Sequence, residues 1–303
     1  MIEIPEWLKK ELKNQYDEKE LEYIQKGYQE KRKTIFRVNT LKSYSKEVIV
    51  ELIKNEIKYN QLNNSIVPDR KLPEIFCVED DLKLRQTNIY NEGKIYIQNL
   101  SSMIPPLFLN PKEQEDILDM AAAPGGKTTE IAALSMNKSN ITACERNTIR
   151  LDKMIYNIKK QGAKVYCINK NSIDLDNFMK FDKILLDAPC TGTGTINSKT
   201  DFNRYLNETL LNKTTKIQEK LLEKAIKLLK KGGSIIYSTC SILEKENDEI
   251  IKKIITRNTN IHLEKIELLQ NNDLKIVKGI ENKTITILPD KKFEGFYIAK
   301  LVK

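Results

Sequence analysis

From residue 115 onward the chain alternates short apolar runs with amphipathic stretches. EDILDM, NITACE, AKVYCI, FDKILLD and GSIIYSTC are separated by helical patterns at about 126–137, 147–161, 208–231 and 246–257. Short apolar runs flanked by helical periodicity predict strands buried on both faces and joined by crossover helices, an α/β fold with a parallel sheet. Ligands bind such sheets at the carboxyl ends of the strands. The candidate positions are therefore Asp119 with the glycine turn after it, Glu145, Asn169 to Ser172, Asp187 to Cys190, and Thr239 to Ser241. Upstream, Trp7, Leu8, Leu12, Leu21 and Ile24 recur at roughly helical spacing, which predicts one or two short amphipathic helices within residues 6–33. From residue 35, with FRVNTL at 36–41, to about Gln98 the pattern predicts a first strand, a helix at about 45–57, and short apolar runs from Ile66 to Ile97 broken by Pro68 and Pro73. The expected organisation is a helical segment over 1–34, a small α+β module over 35–98 and the α/β domain over 99–303.

With 303 residues and 40% hydrophobic content the chain can bury a sizeable core. No apolar run approaches the roughly 18 residues of a membrane span, and the first residues lack the apolar stretch of a signal peptide. A cytoplasmic, monomeric protein is expected. Cys77, Cys144, Cys167, Cys190 and Cys240 include no C-x-x-C pair, so neither a metal site nor a disulfide framework is expected. Of the +9 net charge, residues 1–115 contribute nothing, and residues 116–303 hold 32 basic against 23 acidic side chains. Such an excess suits a polyanionic partner, although a lysine-rich composition also serves solubility alone.

The turn DMAAAPGGKTTE at 119–130 reads two ways. Ala121, Gly126, Lys127 and Thr128 fit a loosened phosphate-binding P-loop, and KILLD at 183–187 resembles the strand that ends in such enzymes' magnesium-binding Asp. Pro124 stands against that reading, because it places a residue without an N–H where the loop needs donors. Glu145, ending the next strand, suits two ribose hydroxyls instead. Gly125 and Gly126 admit a close backbone approach, and the following helix N-terminus is free for a carboxylate. Together these favour S-adenosyl-L-methionine.

DAPCTGTG at 187–194 and YSTCS at 237–241 add one thiol after the fourth strand and another after the fifth. Cytosine carbon 5 is a poor nucleophile until a thiolate adds to carbon 6, so cysteines beside a methyl donor point to that reaction. Cys144 and Cys167, inside apolar strands, read as structural.

The set DMAAAPGGKTTE, DAPCTGTG, YSTCSILEKENDEI and GFYIAKL, with FRVNTLK and YIQNLSSMIPPLFL upstream, resembles the RNA 5-methylcytosine methyltransferases of the Nop/Sun family. The resemblance implies a Rossmann-like methyltransferase sheet, an RNA-positioning N-terminal module, Cys240 as nucleophile and Cys190 as the group that helps release product. It also implies Asp187 and Lys127 at the base, and S-adenosyl-L-methionine held by Ala121, Ala122, Ala123, Pro124, Gly125, Gly126, Lys127, Glu145, Arg150, Asn171 and Asp187. Ala121 replaces a cysteine common in the family, Asn171 stands where an acid commonly meets the adenine amino group, and LPDKKFEGFYIAKL lacks a histidine often found before the GF pair. INSKTDFNRYLNET carries few basic residues for an RNA-contacting segment. The expected substrate is transfer RNA, then ribosomal RNA. The rival readings are a DNA cytosine-5 methyltransferase with Cys190 as nucleophile, a P-loop NTPase and a non-catalytic RNA-binding protein. His262 is expected on a surface strand, and Phe36, Phe76, Tyr90 and Tyr96 mostly in core packing rather than in base stacking.

Overall fold

A computed structural model describes residues 2–62, 66–68, 74–197, 200, 206–269 and 274–303. Pro73 and positions 198–199 and 201–205 of INSKTDFNRYLNET lie outside the described residues.

The chain opens with α1 (Glu6–Gln15) and α2 (Glu18–Gln29), the second started by a reciprocal capping box between Asp17 and Glu20. Their apolar faces do not pack on the module that follows in sequence. Leu8, Leu12, Tyr16, Ile24 and Tyr28 cluster with Leu211, Ile242, Leu243 and Leu288 of the C-terminal half.

The module comprises β1 (Thr34–Val38), α3 (Ser45–Lys54), β2 (Tyr59–Leu62), β3 (Ile75–Val78), α4 (Asp81–Gln86), α5 (Asn88–Asn91) and β4 (Ile95–Ile97). Its antiparallel sheet runs β2-β3-β1-β4. Period-two alternation splits β1 between two cores. Phe36 and Val38 pack on Val48 and Leu52 of α3, while Ile35 joins Met103, Ile104 and Leu107 on the opposite side. Two expectations are corrected here. α3 stops at Lys54 rather than near 57, because Glu56 turns to a left-handed φ of 54°. The stretch read as alternating apolar runs also contains α4 and α5, each nucleated by a side-chain cap: Asp80 accepts from Lys83 N and Thr87 from Tyr90 N.

The remainder contains α6 (Ile104–Leu109), β5 (Asp116–Asp119), α7 (Gly126–Leu134), β6 (Asn140–Cys144), α8 (Thr148–Gln161), β7 (Val165–Ile168), β8 (Phe181–Asp187), α9 (Glu208–Leu228), β9 (Leu229–Thr239), α10 (Asp248–Arg257), β10 (His262–Glu264), β11 (Ile276–Lys278), β12 (Ile285–Ile287) and β13 (Phe296–Val302). Among the described residues the sheet order is β11-β12-β13-β9-β8-β5-β6-β7, with β10 also paired to β13. The five strands β7-β6-β5-β8-β9 are parallel, and β13 inserts antiparallel beside β9. Strand order reverses between β5 and β8, so this is the crevice where a doubly wound sheet binds its ligand. Helix α9 ends before the expected 231 because the chain already pairs at Leu229 with Phe181 of β8. One face of the sheet packs Leu118, Ile184 and Ile235 on α9 and α10; the other packs Ile117, Leu185 and Ile236 on α6 and α7.

His262 is exposed on β10 as expected. All five cysteines are free thiols; Cys144 is fully buried, whereas Cys167 is only partly buried because β7 is an edge strand. Phe36 and Phe76 stack in the module core with ring centroids 5.6 Å apart.

Candidate active site

Strand β5 ends at Asp119 and α7 begins at Gly126, so the turn between them sits at the mouth of the crevice. Its geometry does not make a phosphate cradle. Ala122 N donates to Cys144 O at 3.0 Å, Gly125 N to Ala122 O at 2.7 Å, and Pro124 has no N–H, so three of the donors a P-loop would aim at phosphates are spent or missing. Gly125 has a φ of 100°, which a side chain would strain. A cavity of about 170 Å³ opens against this turn, bounded also by Tyr96, Ser102, Asp119, Lys127 and Asp187. Asp119 Oδ2 accepts from Thr128 Oγ1 at 2.7 Å, while its buried Oδ1 has no hydrogen-bond partner. Burial pushes the Asp119 carboxyl up to about 6.

Glu145 follows β6 and is buried. Oε1 accepts from Asn147 N at 2.8 Å and Oε2 lies 3.3 Å from Arg150 Nη1, which leaves further lone pairs for a diol. Arg150 also donates from Nη2 to Ala123 O at 2.8 Å, so it ties the glycine turn to Glu145. Asn171 caps a short 3₁₀ turn, its Oδ1 accepting from Ile173 N at 3.3 Å.

The two cysteines converge from β8 and β9, with their sulfurs 3.2 Å apart. The hydrogen bond with Cys240 first, and burial second, push the Cys190 thiol well above its ordinary range. Beside them Lys127 Nζ donates to Asp187 Oδ2 and to Ser102 Oγ, both at 2.7 Å, and Ser238 Oγ donates to Asp187 Oδ1 at 2.8 Å. Burial works to lower the Lys127 ammonium, but the Asp187 carboxylate outweighs it and holds the group above its ordinary value. The loops are pinned to each other: Gly194 N donates to Cys240 O at 2.9 Å, and Gly295 N to Gly194 O at 2.8 Å. A Cβ on Gly194 would lie 2.1 Å from Gly295 O, so only glycine permits DAPCTGTG and GFYIAKL to meet here. The structure thus brings together Cys190, Cys240, Asp187 and Lys127, with the 121–126 turn next to them and Glu145, Arg150 and Asn171 further along the strand ends.

A family model described as 16S rRNA methyltransferase RsmB/F matches residues 106–302. The chain belongs to that family. A second model, for the RsmF/B-like ferredoxin-like domain, matches residues 4–69 and so takes in α1 and α2 as well as part of the module. The chain is 34% identical over 277 residues to a tRNA (cytosine(49)-C(5))-methyltransferase of Pyrococcus abyssi, covering 88% of this chain and 87% of that protein. It is 38% identical over 224 residues to a tRNA (cytosine(72)-C(5))-methyltransferase of Pyrococcus horikoshii, covering 73% of this chain but only 55% of the relative's length. The crystal structure of NSun6 from Pyrococcus horikoshii with SFG superposes with a TM-score of 0.80 at 28% identity, over 99% of this chain and 98% of that one.

Beyond the residues carried over from the RsmB/F resemblance, several further side chains shape the site. Asp119 was visible as the last residue of its strand, but its unpartnered oxygen was not. Arg37, from β1, is fully buried and reaches across to α7, donating to Gly126 O at 3.1 Å, Thr129 Oγ1 at 2.8 Å and Gln98 Oε1 at 3.0 Å. Gln98 donates in turn to Glu130 Oε2 at 3.1 Å. Glu130 lies 3.9 Å from Arg37 Nε, too far for a hydrogen bond, and burial pushes its carboxyl up to about 8 while the nearby guanidinium opposes that shift. Buried Glu246 accepts from Thr191 N at 2.9 Å and Thr214 Oγ1 at 2.7 Å, anchoring the residue after Cys190. The arginine in FRVNTLK and the glutamate in YSTCSILEKENDEI were legible as motif members, while their partners required the fold.

Proposed function

We propose that the protein transfers a methyl group from S-adenosyl-L-methionine to carbon 5 of cytosine in RNA, through a covalent bond between Cys240 and carbon 6. The observation that carries this reading is the pair of sulfurs 3.2 Å apart beside the Lys127–Asp187 pair, at the edge of the cavity under the glycine turn. Two relatives are named for cytosine-5 methylation of transfer RNA, and the matching family model and further relatives for ribosomal RNA, which supports both substrate classes; transfer RNA is the first proposal here because the relative matched over most of both chains is a transfer RNA enzyme.

The residues present fit the cofactor. The unpartnered, buried Asp119 Oδ1 suits an ammonium group, the spare lone pairs of Glu145 suit a ribose diol, and a structural neighbour is described with SFG, an analogue of the methyl donor. Bound there, S-adenosyl-L-methionine supplies an electrophilic methyl group. Asp187 and Lys127 orient the base edge and stabilise charge that develops on it, a preorganised electrostatic role. Cys240 Sγ, once its thiol proton has passed to solvent, bonds to carbon 6 as the thiolate, and the carbon 5–carbon 6 double-bond electrons become available at carbon 5. After methylation the proton on carbon 5 must leave, the double bond re-forms and the sulfur–carbon bond breaks. Cys190 is suited to that proton transfer. Its sulfur lies 3.2 Å from Cys240 Sγ, which puts it beside the atom bonded to the base. Residues 35–98 serve as the RNA-positioning module in this reading.

The test is the contrast between two variants. Cys240→Ala should give neither turnover nor adduct, whereas Cys190→Ala should methylate and then stall as a protein–RNA adduct stable to denaturing electrophoresis. The reverse assignment would indicate the DNA-enzyme chemistry with Cys190 as nucleophile, and full activity in both variants would sink the covalent mechanism. Mapping 5-methylcytosine in RNA from cells with and without the gene identifies the target.

A further inference from the structure

We infer that Gln15 and Tyr16, at the end of the N-terminal helix α1, are positioning residues for the nucleophile, an inference that rests on the covalent reading above. The ladder between β9 and β13 ends at the Thr239–Tyr297 pair, so Cys240 is the first residue beyond the sheet and its place depends on how the loop 240–243 is held. One side is held by the Cys190 loop: Gly194 N donates to Cys240 O at 2.9 Å, and Ile242 N donates to Thr193 Oγ1 at 3.1 Å. The other side is held from more than two hundred residues away in sequence. Tyr16 OH and Gln15 Nε2 both donate to Ile242 O at 2.6 Å, and Gln15 Oε1 accepts from Glu244 N at 2.7 Å. Tyr16 and Ile242 are buried, and Leu8 and Leu12 fix α1 against the same cluster.

Both lone pairs of the Ile242 carbonyl are thus filled by one helix end, by a buried Tyr16 and a half-buried Gln15 that borders a cavity of about 470 Å³. Removing them leaves a buried acceptor unpaired, and the loop relaxes to find a partner. A reacting sulfur tolerates little such movement, since about 1 Å of misplacement costs on the order of a hundredfold in rate. Neither residue lines the cavity at the glycine turn. Both act through the backbone two residues from the sulfur, which gives α1 a part in catalysis.

The experiment measures single-turnover methyl transfer at saturating RNA and methyl donor for the wild type, Tyr16→Phe, and Tyr16→Phe combined with Gln15→Ala. Competent sites are counted by trapping with RNA that carries 5-fluorocytidine, whose carbon–fluorine bond blocks the final elimination. The expected result is a rate constant per competent site that is roughly tenfold lower in the double variant and intermediate in Tyr16→Phe, with RNA and cofactor affinity within about twofold. A purely structural role would lower the melting temperature and the number of competent sites but leave the rate constant per site unchanged, and that result would overturn the inference. If the double variant does not fold, Tyr16→Phe decides alone, because it removes a single hydroxyl from a ring that stays packed. Failure of the covalent reading shows separately, as methyl transfer by Cys240→Ala or as no trapped adduct in the wild type.

Discussion

Asp119 carries a consequence for pH that belongs to a single residue. Burial holds its carboxyl up to about 6 in the free protein, and pairing with a cationic ammonium would draw that value down. Ligand binding therefore releases a proton below about pH 6 and none well above it. Affinity for S-adenosyl-L-methionine should be highest near pH 7, weaken by up to about tenfold for each unit below 6, and weaken again above about 8 as the ligand's α-ammonium loses its proton, as calorimetry in buffers of different ionisation enthalpy would show. Asp119→Asn should bind more weakly at neutral pH and lose the dependence on the acid side. A wild-type affinity constant from pH 5 to 8 would remove Asp119 from the ammonium site.

Elements meet at this site through side chains and glycines rather than through extended interfaces. The contact of the Cys190 loop with the start of β13 depends on Gly194 lying against Gly295. Gly194→Ala should destabilise the protein by about 1–3 kcal/mol through overpacking and separate the two loops, with loss of adduct formation even where the variant is folded. Calorimetric melting alongside adduct trapping checks both. The contact between β1 and α7 depends on Arg37. Arg37→Leu leaves Gly126 O, Thr129 Oγ1 and Gln98 Oε1 without that donor; it should cost about 1–3 kcal/mol, and on the proposed reading weaken cofactor binding, because the start of α7 forms one wall of the cavity at the glycine turn. Glu130 in the same network gives a stability test with a defined sign. Its folded value of about 8 exceeds its ordinary 4.5, so between those limits the folded state holds a proton that the unfolded chain has lost. Stability should fall as pH rises through that window and level off above about 8. Glu130→Gln should flatten the slope in denaturant titrations.

On the scale of the whole molecule, charge and core are distributed differently from sequence order. The excess of 32 basic over 23 acidic residues lies entirely in residues 116–303, on the part that carries the cysteines. RNA affinity should therefore fall steeply between low and moderate salt and persist without the methyl donor, measured by filter binding across a salt series. An affinity independent of salt would sever the charge from RNA binding. The cores are shared in the same way. Ile35, Ile75 and Cys77 of the module pack with Met103 and Leu107, and α1 and α2 pack on Ile242, Leu243 and Leu288. The N-terminal helices thus pack directly against the loop that follows Cys240.

Periodicity determined the parallel strands and their helices, because burial on both faces demands apolar runs and a crossover demands an amphipathic helix. It also placed Asp119, Glu145, Asp187, Cys190 and Cys240 at strand ends, where any doubly wound sheet exposes residues to a ligand. The small helices α4 and α5 were harder to read, since their single-residue caps at Asp80 and Thr87 leave almost no periodic trace. Only the tertiary structure decided which strand ends are neighbours, that the two sulfurs approach to 3.2 Å, that Lys127 is committed to Asp187, and that one oxygen of Asp119 is left unpaired. The same holds for Arg37 at Gly126 and for Gln15 and Tyr16 at Ile242. Local pattern reports whether a residue is buried, because burial follows from its own element. Its partner comes from another element, and strand order and packing alone bring the two together.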